Sequence, residues 1–467
     1  MKIDSIGVSD IIEKRKVGAF QYMIVVLCGL VLFIDGFDTQ AISYILPLLA
    51  KDWQIAPKLL GPIFSSTLVG LMIGYLFVSP LSDKYGHKRV MVIATLLFGA
   101  FTAGTVLATN VTELMALRFL TGIGLGAAAP SAVALTGEYV PQRLRATFVL
   151  AIYCGFSLGF VVAGFVAGEL LPRFGWTSLL WAGSIPPILL GFVLMAILPE
   201  SIAFLARRKT HFAQLSTIVK RLDPTLHIDS NTVFTEAQND GKRAAITALF
   251  QMGRTGGTLL LWLVFFINLA IFYFMQSWLP TILTGLKYPM DTIVWLTALP
   301  TIGGILAAFV VGPAMDRIGP YVTIGVLYLC GSVFMAFTAA NFTSSLPVLM
   351  LAIFLAGFCV SGGQKSVIAL AAVFYPTEIR STGVGWALGI GRLGGIAGPS
   401  VVGLLIGAHW TPTEIFYGGG AMIFVACLCV FVMGRLYTGT GTGAGKNHGS
   451  KAAGGVPAGR FADAHSK

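Results

Sequence analysis

Long apolar runs that carry almost no charge constrain the fold of this chain more than any other feature. A helix needs about 20 apolar residues to cross the hydrocarbon core of a bilayer. Only 11% of the residues are charged, whereas about 25% are charged in a typical soluble protein. Twelve runs are long enough, at 20–48, 58–80, 90–108, 112–136, 146–168, 176–198, 257–284, 292–314, 321–340, 346–374, 382–408 and 414–436. The sequence therefore predicts an all-α membrane protein with twelve transmembrane helices.

The basic residues are distributed unevenly, and this asymmetry predicts the orientation in the bilayer. Most of the 31 lysines and arginines fall in the N-terminal segment, the loops after even-numbered runs and the C-terminal tail. Because positive residues accumulate in cytoplasmic loops, both termini are predicted to be cytoplasmic. The first run is too long for a cleaved signal peptide, so we expect it to remain as a helix. Topology and contact with the lipid bilayer explain the net charge of +11, and no nucleic-acid partner is expected.

Two loop motifs recur in both halves of the chain and indicate an internal duplication. "PLSDKYG" (80–86) follows the second run and "PAMDRIG" (313–319) follows the eighth. "YVPQRLRAT" (139–147) follows the fourth run and matches "FYPTEIRST" (374–382) after the tenth. Parallel repeats of six helices are one known construction of secondary transporters, with the binding site near the midplane between the repeats. We therefore predict two six-helix bundles.

The duplication and the polar segments predict five regions along the chain. A charged segment with turn-forming dipeptides separates the two sets of runs, and a glycine-rich segment without apolar periodicity ends the chain. The predicted regions are a cytoplasmic N-terminal segment (1–19), a first bundle (20–198), a cytoplasmic linker (199–256), a second bundle (257–436) and a disordered cytoplasmic tail (437–467).

The repeated loop motifs each contain an aspartate followed by a basic residue. These residues have two interpretations. They are either solvated surface charges, or each aspartate pairs with a basic residue of a neighbouring helix end and latches the cytoplasmic face when the protein is open outward. The candidate gating residues are Asp83, Arg89, Arg145, Asp316, Arg317 and Arg380.

Five charged residues fall well inside the predicted helices: Asp35, Asp38, Arg118, Lys365 and Arg392. Each costs about 2.5–3.5 kcal/mol at a helix centre on insertion scales, so such residues mark functional sites by default. The competing interpretation is that buried ion pairs fix the helix packing.

The two aspartates of "VLFIDGFDTQ" (31–40) are candidates for carrying a proton. Asp35 and Asp38 are three residues apart and share one helix face. Burial and a neighbouring like charge both favour the protonated form of a carboxylate. Arg118 begins R-x-x-x-G-x-x-x-G in the fourth run, at a depth comparable with the aspartates. We predict that Asp35, Asp38 and Arg118 form the proton-coupling site.

The tenth and eleventh runs supply the candidate substrate contacts. Arg392 lies among glycines, and its planar guanidinium matches a carboxylate through two hydrogen bonds. Gln364 and Lys365 lie in "SGGQKSV", where Lys365 either assists Arg392 or pairs with an aspartate across the cavity. The five charges sum to +1, which one substrate carboxylate would neutralise. The aromatic candidates near this level include Phe37, Tyr273 and Trp386.

Six segments together resemble one known family. They are "DGFD", "PLSDKYGHKR", "RFLTGIGLGAAAP", "LPES", "WLP" and "FYPTEIRSTGVGWALGIGRLGG". The sequence resembles the major facilitator superfamily and, within it, the aromatic acid:proton symporters of the 4-hydroxybenzoate transporter type, over residues 20–436. The resemblance implies the major facilitator fold.

The resemblance also implies a function. It implies proton-coupled uptake of an aromatic carboxylic acid across a bacterial inner membrane for degradation of the ring. We expect the protein to be a monomer. Asp35, Asp38, Asp83 and Arg392 are expected to matter for transport. Lys365 stands where 4-hydroxybenzoate carriers are expected to have a small residue, which favours a more hydroxylated substrate such as protocatechuate or gallate.

Other functions remain open or are disfavoured by the sequence. A proton symporter of a non-aromatic organic anion, such as muconate or a sugar acid, and a transporter-like sensor both fit the same pattern. Drug export is disfavoured because the fifth run lacks a terminal Gly-Pro. An enzyme is disfavoured because the runs contain no nucleophile motif, and no metal or cofactor is expected because the six histidines fall in predicted loops or the tail.

Overall fold

The computed structural model describes residues 5–7, 11–13, 16–206, 212–223, 233–235, 246–376 and 379–437. This part of the chain contains 12 helices that are long and apolar enough to cross a membrane. They are α1 (Ala19–Asp52), α2 (Pro57–Val78), α3 (His87–Thr105), α4 (Val111–Tyr139), α5 (Gln142–Phe174), α6 (Trp176–Ile197), α7 (Thr255–Gly285), α8 (Met290–Ile318), α9 (Pro320–Ala340), α10 (Leu346–Phe374), α11 (Arg380–Gly407) and α12 (Pro412–Tyr437). The predicted all-helical membrane fold is confirmed.

Several helices extend beyond the apolar runs that predicted them. α1 continues to Asp52, α5 begins at Gln142, and α8 continues to Ile318. Hydropathy identifies only the segment inside the hydrocarbon, whereas backbone hydrogen bonding continues through the charged turns at each end. In α2 the last five residues, Gly74–Val78, form a π-helical turn.

The segments outside the bundles contain short elements. Strand β1 (Ser5–Gly7) pairs in parallel with strand β2 (Val233–Thr235). Short helices cover Leu81–Tyr85, Ile202–Ala206, Phe212–Leu222 and, as a 3-10 turn, Ile246–Phe250. Much of the predicted linker (199–256), and the predicted tail (437–467) beyond Tyr437, lie outside the described residues.

Glycines bring equivalent helix pairs into backbone contact in the two bundles. A β-carbon at Gly36 of α1 would lie 2.0 Å from the carbonyl oxygen of Phe156 in α5. A β-carbon at Gly394 of α11 would lie 2.0 Å from the carbonyl oxygen of Phe266 in α7. Only glycine permits such approaches. The contact between the first and fifth helices of one bundle thus recurs between the first and fifth helices of the other.

The two bundles meet at the end away from the chain termini, which we call the outer end. Gln40 Nε2 of α1 donates a hydrogen bond to the Gln276 carbonyl of α7 at 3.4 Å, and the hydroxyls of Tyr44 and Thr297 are hydrogen bonded. Ser65 of α2 donates to the Ile396 carbonyl of α11 at 2.7 Å. Three pairs of helices therefore close the outer end.

At the terminus end the same helix faces are open. Gly385 and Gly389 share a face of α11 with Ile396, but no described atom lies within 4 Å of a β-carbon at either glycine. On α5, Tyr153 shares a face with Gly164, which contacts Tyr44 of α1 and Val294 of α8, yet Tyr153 is 47% exposed. The space between the bundles is therefore a cavity that opens toward the termini.

Candidate functional site

A buried ion pair lies inside the first bundle. Arg118 Nη1 of α4 donates to both carboxylate oxygens of Asp38 of α1, at 3.3 and 3.2 Å. Arg118 Nη2 reaches the hydroxyls of Thr102, Thr105 and Thr121, at 3.1, 3.3 and 3.4 Å. Asp38 and Arg118 are each 1% exposed. The pair is thus enclosed by α1, α3 and α4.

The sequence leaves open whether Arg118 contacts Asp35 or Asp38, and in the structure Arg118 contacts Asp38. The threonines around Arg118 were not among the residues selected from the sequence, although the Thr102 hydroxyl also donates a hydrogen bond to Asp38 at 3.1 Å. The signal in the sequence was a pair of hydroxyl residues on one face of the apolar helix α3, Thr102 and Thr105, which are three residues apart.

Asp35 has a different environment from Asp38. It is 5% exposed, and its recorded hydrogen bond comes from the Thr39 hydroxyl in the next turn, at 3.5 Å. Its carboxyl group interacts electrostatically with Arg392 across the interface between the bundles. Asp35 therefore faces the centre of the molecule, whereas Asp38 faces the interior of its own bundle.

Arg392 of α11 lies among three tyrosines, and we call the four residues the arginine–tyrosine cluster: Arg392, Tyr75, Tyr153 and Tyr273. Arg392 Nη1 donates to the Tyr273 hydroxyl at 3.0 Å, and Nη2 lies 3.5 Å from the Tyr75 hydroxyl. The guanidinium carbon lies 5.0 Å from the centre of the Tyr75 ring, which is within cation–π range. Tyr153 lies within electrostatic range. Helices from both bundles therefore surround this guanidinium.

Tyr75 belongs to this cluster although sequence reasoning did not select it. It lies in the π-helical turn at the end of α2. The only signal was a phenol in an otherwise apolar run, which fits a bilayer-interface residue equally well. Its contact with Arg392 depends on the packing of α2 against α11, which the sequence alone does not show.

The two polar candidates of the tenth run are adjacent residues of α10. Gln364 and Lys365 are both partly buried. Lys365 Nζ lies 3.4 Å from the Gly304 carbonyl of α8, and it interacts electrostatically with the exposed Cys154 of α5. Among the described residues, no carboxylate lies within 4.0 Å of this ammonium, so the pairing with an aspartate is not formed in this conformation.

Two predicted aromatic contacts lie away from Arg392. The Phe37 ring points into the first bundle, 3.6 Å from a β-carbon built on Gly183 of α6. Trp386 is exposed and stacks on Trp262 with ring centres 6.0 Å apart. Of the three aromatic candidates, only Tyr273 touches the guanidinium.

The predicted gating residues lie at the terminus end and are mostly exposed. The Asp83 side chain is 67% exposed and lies 3.8 Å from His87 Nε2. Arg380 Nε donates to the Tyr375 carbonyl at 3.3 Å. Arg89, Arg145, Asp316 and Arg317 are exposed. Within the described chain, neither Asp83 nor Asp316 forms an ion pair with Arg145 or Arg380. The latch was predicted for the outward-open state, so it stays a prediction.

Comparison with known proteins assigns this architecture to a family. The Major Facilitator Superfamily matches residues 28–294 and 261–462. The 4-hydroxybenzoate transporter PcaK of Pseudomonas aeruginosa is 40% identical, over 88% of this chain and 92% of its own length. The gallate transporter of Pseudomonas putida is 37% identical, over 92% of this chain and 95% of its own length.

Solved structures share the fold at low identity. A D-xylose–proton symporter superposes with a TM-score of 0.69 at 18% identity, covering 88% of this chain and 98% of its own. The xylose transporter XylE of E. coli in an inward-open conformation has a TM-score of 0.66 at 17% identity, covering 88% and 95%. The relatives are transporters rather than enzymes, and this chain belongs to the Major Facilitator Superfamily and, within it, to the aromatic acid transporters.

Proposed function

We propose that the protein is a proton-coupled symporter that takes up an aromatic carboxylic acid, such as 4-hydroxybenzoate, protocatechuate or gallate, into a bacterial cytoplasm by alternating access. The observation that carries the proposal is the position of Arg392. Its guanidinium lies between the two bundles, within electrostatic range of the buried carboxyl group of Asp35. The relatives named for 4-hydroxybenzoate and gallate support the substrate class.

Arg392 has the donors that a carboxylate requires. A guanidinium has five N–H donors, and two of its nitrogens contact tyrosine hydroxyls here. The remaining donors are available for hydrogen bonds to a substrate carboxylate. The Tyr75 ring holds the guanidinium plane from one side. The aromatic ring of the acid would then lie in the space bounded by Tyr153 and Tyr273.

Proton coupling follows from competition for Arg392. An ionised Asp35 neutralises Arg392 when the site is empty. A substrate carboxylate replaces Asp35 as the counter-ion only if Asp35 is protonated, because two anions would otherwise face one cation in a low-dielectric site. Asp38 is less suited to this role because Arg118 already holds it. The empty carrier and the carrier loaded with both proton and acid thus have the same net charge at this site.

The position of the open end indicates which state of the transport cycle the structure represents. The outer end is closed by the hydrogen bonds of Gln40, Tyr44 and Ser65. With both termini in the cytoplasm, as the positive-inside rule predicts, this is an inward-open conformation. Rocking of the bundles about the arginine–tyrosine cluster would then expose the site to the other side.

Uptake by purified protein in liposomes tests the substrate assignment. We expect an inward-directed proton gradient to drive accumulation of labelled 4-hydroxybenzoate or protocatechuate. We expect Arg392→Gln to reduce this accumulation at least about tenfold, because the substrate carboxylate loses its counter-ion. Arg173→Gln, at an exposed arginine, is the matched control. Uptake by Arg392→Gln at the wild-type rate would refute the role of Arg392.

Counterflow without a gradient tests the coupling. Asp35→Asn mimics the protonated acid, so we expect counterflow of the labelled acid to persist while gradient-driven accumulation is lost. Asp52→Asn, at the exposed end of the same helix, should retain both. Gradient-driven accumulation by Asp35→Asn would exclude Asp35 as the proton carrier. Binding without counterflow in the wild-type protein would instead indicate a sensor.

A further inference from the structure

Among the described residues, Lys365 differs from the other four charges in the membrane because no carboxylate pairs with it or interacts with it electrostatically. Asp38 pairs with Arg118, and Asp35 interacts with Arg392. The recorded hydrogen bond of Lys365 Nζ is a long one, 3.4 Å to the carbonyl oxygen of Gly304. In the described part of the chain, no carboxylate lies within 4.0 Å of it. An ammonium at this depth therefore has donors that the protein does not fully use.

Neighbouring residues of α5 place Lys365 beside the same cavity as Arg392. Tyr153 lies within electrostatic range of Arg392, and the next residue, Cys154, lies within electrostatic range of Lys365. Both α5 residues are exposed. Since Arg392 is on α11 and Lys365 is on α10, the two cations border this space from different helices.

Close contact between α8 and α10 places Lys365 beside the backbone of α8. A β-carbon at Gly304 of α8 would lie 2.4 Å from the β-carbon of Ser361, and one at Gly362 would lie 2.4 Å from the β-carbon of Ala307. The two helices are therefore in close contact one turn before Lys365. The Lys365 ammonium then lies 3.4 Å from the Gly304 carbonyl oxygen of α8.

We propose that Lys365 is a specificity-determining residue that binds a ring oxygen of the transported acid while Arg392 binds its carboxylate. This inference rests on the proposed function and narrows its substrate class to benzoic acids with at least one oxygen substituent away from the carboxylate. An ammonium has three donors and no acceptor, so it requires an acceptor atom. A hydroxyl oxygen supplies that acceptor without adding a charge to the site. An unsubstituted ring has no acceptor atom at this position, so the ammonium gains no hydrogen bond when such an acid binds.

A lysine substitution tests the contact. The affinities of benzoate, 4-hydroxybenzoate and 3,4-dihydroxybenzoate are measured by competition in counterflow. We expect Lys365→Met to weaken the hydroxylated acids about tenfold, or about 1.4 kcal/mol, and to change benzoate less than about twofold. Lys365→Arg should keep the preference for hydroxylated acids, and Lys51→Met, at an exposed lysine of α1, is the control.

The outcomes separate this inference from the proposed function. An equal effect of Lys365→Met on all three acids, or no effect, would overturn the inference while the transport function stands. Failure of the wild-type protein to transport any aromatic acid would overturn the function itself.

A ligand series on the wild-type protein tests the same contact without any variant. 4-Methoxybenzoate and 4-ethylbenzoate have similar sizes, but only the former carries an oxygen acceptor. We expect 4-methoxybenzoate to compete at least about fivefold better. Equal competition by the two acids would show that no donor recognises this position and would overturn the inference.

Discussion

Asp35 and Asp38 are three residues apart in one helix, yet they have different environments. Asp38 is held by Arg118 and by the hydroxyl of Thr102. Asp35 receives one long hydrogen bond from Thr39 and faces Arg392 instead. Positions three apart differ by about 60° around a helix axis, which is enough here to turn one carboxylate into the first bundle and the other toward the centre.

Arg118→Gln should destabilise the protein because it leaves the Asp38 carboxylate buried without a partner. Removing one side of a buried ion pair costs about 3–5 kcal/mol. We expect a clear decrease in the thermal unfolding temperature in detergent. The double variant Asp38→Asn/Arg118→Gln should regain part of the loss, because no charge is then left unpaired. A wild-type unfolding temperature for Arg118→Gln would show that the pair does not stabilise the fold.

The sequence identified the charged residues of the candidate site but not the hydroxyl groups that contact them. A charge in an apolar run is visible in one dimension, so Asp35, Arg118 and Arg392 were found. Tyr75 was missed because a tyrosine in such a run has no unusual cost. Its contact with Arg392 depends on how α2 meets α11, which is a property of the folded molecule.

At the scale of elements, backbone contact between helices organises each bundle. α1 packs on α5 through Gly36, and α7 packs on α11 through Gly394. The repeated loop motifs predicted two equivalent bundles, and these equivalent helix contacts agree with that duplication. Of the glycines around Arg392, Gly394 and Gly398 make room for the backbone of α7.

Gly36→Ala and Gly394→Ala should each disturb the bundle that contains them. The added β-carbon would lie 2.0 Å from a carbonyl oxygen in each case, and a backbone atom cannot move away as a side chain end can. Overpacking of this kind costs about 1–3 kcal/mol. We expect lower thermal stability for both variants, measured by intrinsic fluorescence. Gly385→Ala is the matched control, since no described atom lies within 4 Å of its β-carbon, and equal stability of all three variants would contradict the prediction.

At the scale of the whole molecule, the two bundles touch at one end and separate at the other. One face of α11 shows both arrangements. Ile396 contacts Ser65 of α2, whereas no described atom lies within 4 Å of a β-carbon at Gly389. The sequence contains no signal for which end is closed. The same residues must fit both an outward-open and an inward-open arrangement, so a pattern of apolar and polar positions does not distinguish the two.

Chemical labelling of Cys154 tests which end of the cavity is open. It is exposed on α5, whereas Cys28, Cys359, Cys427 and Cys429 are buried. We expect a membrane-impermeant thiol reagent to label it from the cytoplasmic side in inside-out vesicles and not from the outside of intact cells. Tyr44→Phe removes the hydroxyl bonded to Thr297, so it should favour the outward-open state and reduce this labelling.

Cys154→Ser is the control for the labelling experiment, because it should abolish the signal. Labelling of Cys154 from the periplasmic side alone would contradict the inward-open assignment. Equal labelling of the wild-type protein and Tyr44→Phe would show that the Tyr44–Thr297 contact does not hold the outer end closed.

The π-helical turn of α2 has a consequence for the way the two bundles communicate. A π turn contains one residue more than an α turn, and one residue corresponds to about 100° of rotation. If Gly74–Val78 returned to regular α-helical hydrogen bonding, Tyr75 would swing off the guanidinium of Arg392. The short helix that carries Asp83, three residues after this turn, would twist with it. A change of winding in these five residues would thus couple the position of Tyr75 beside Arg392 to the orientation of the short helix that carries Asp83.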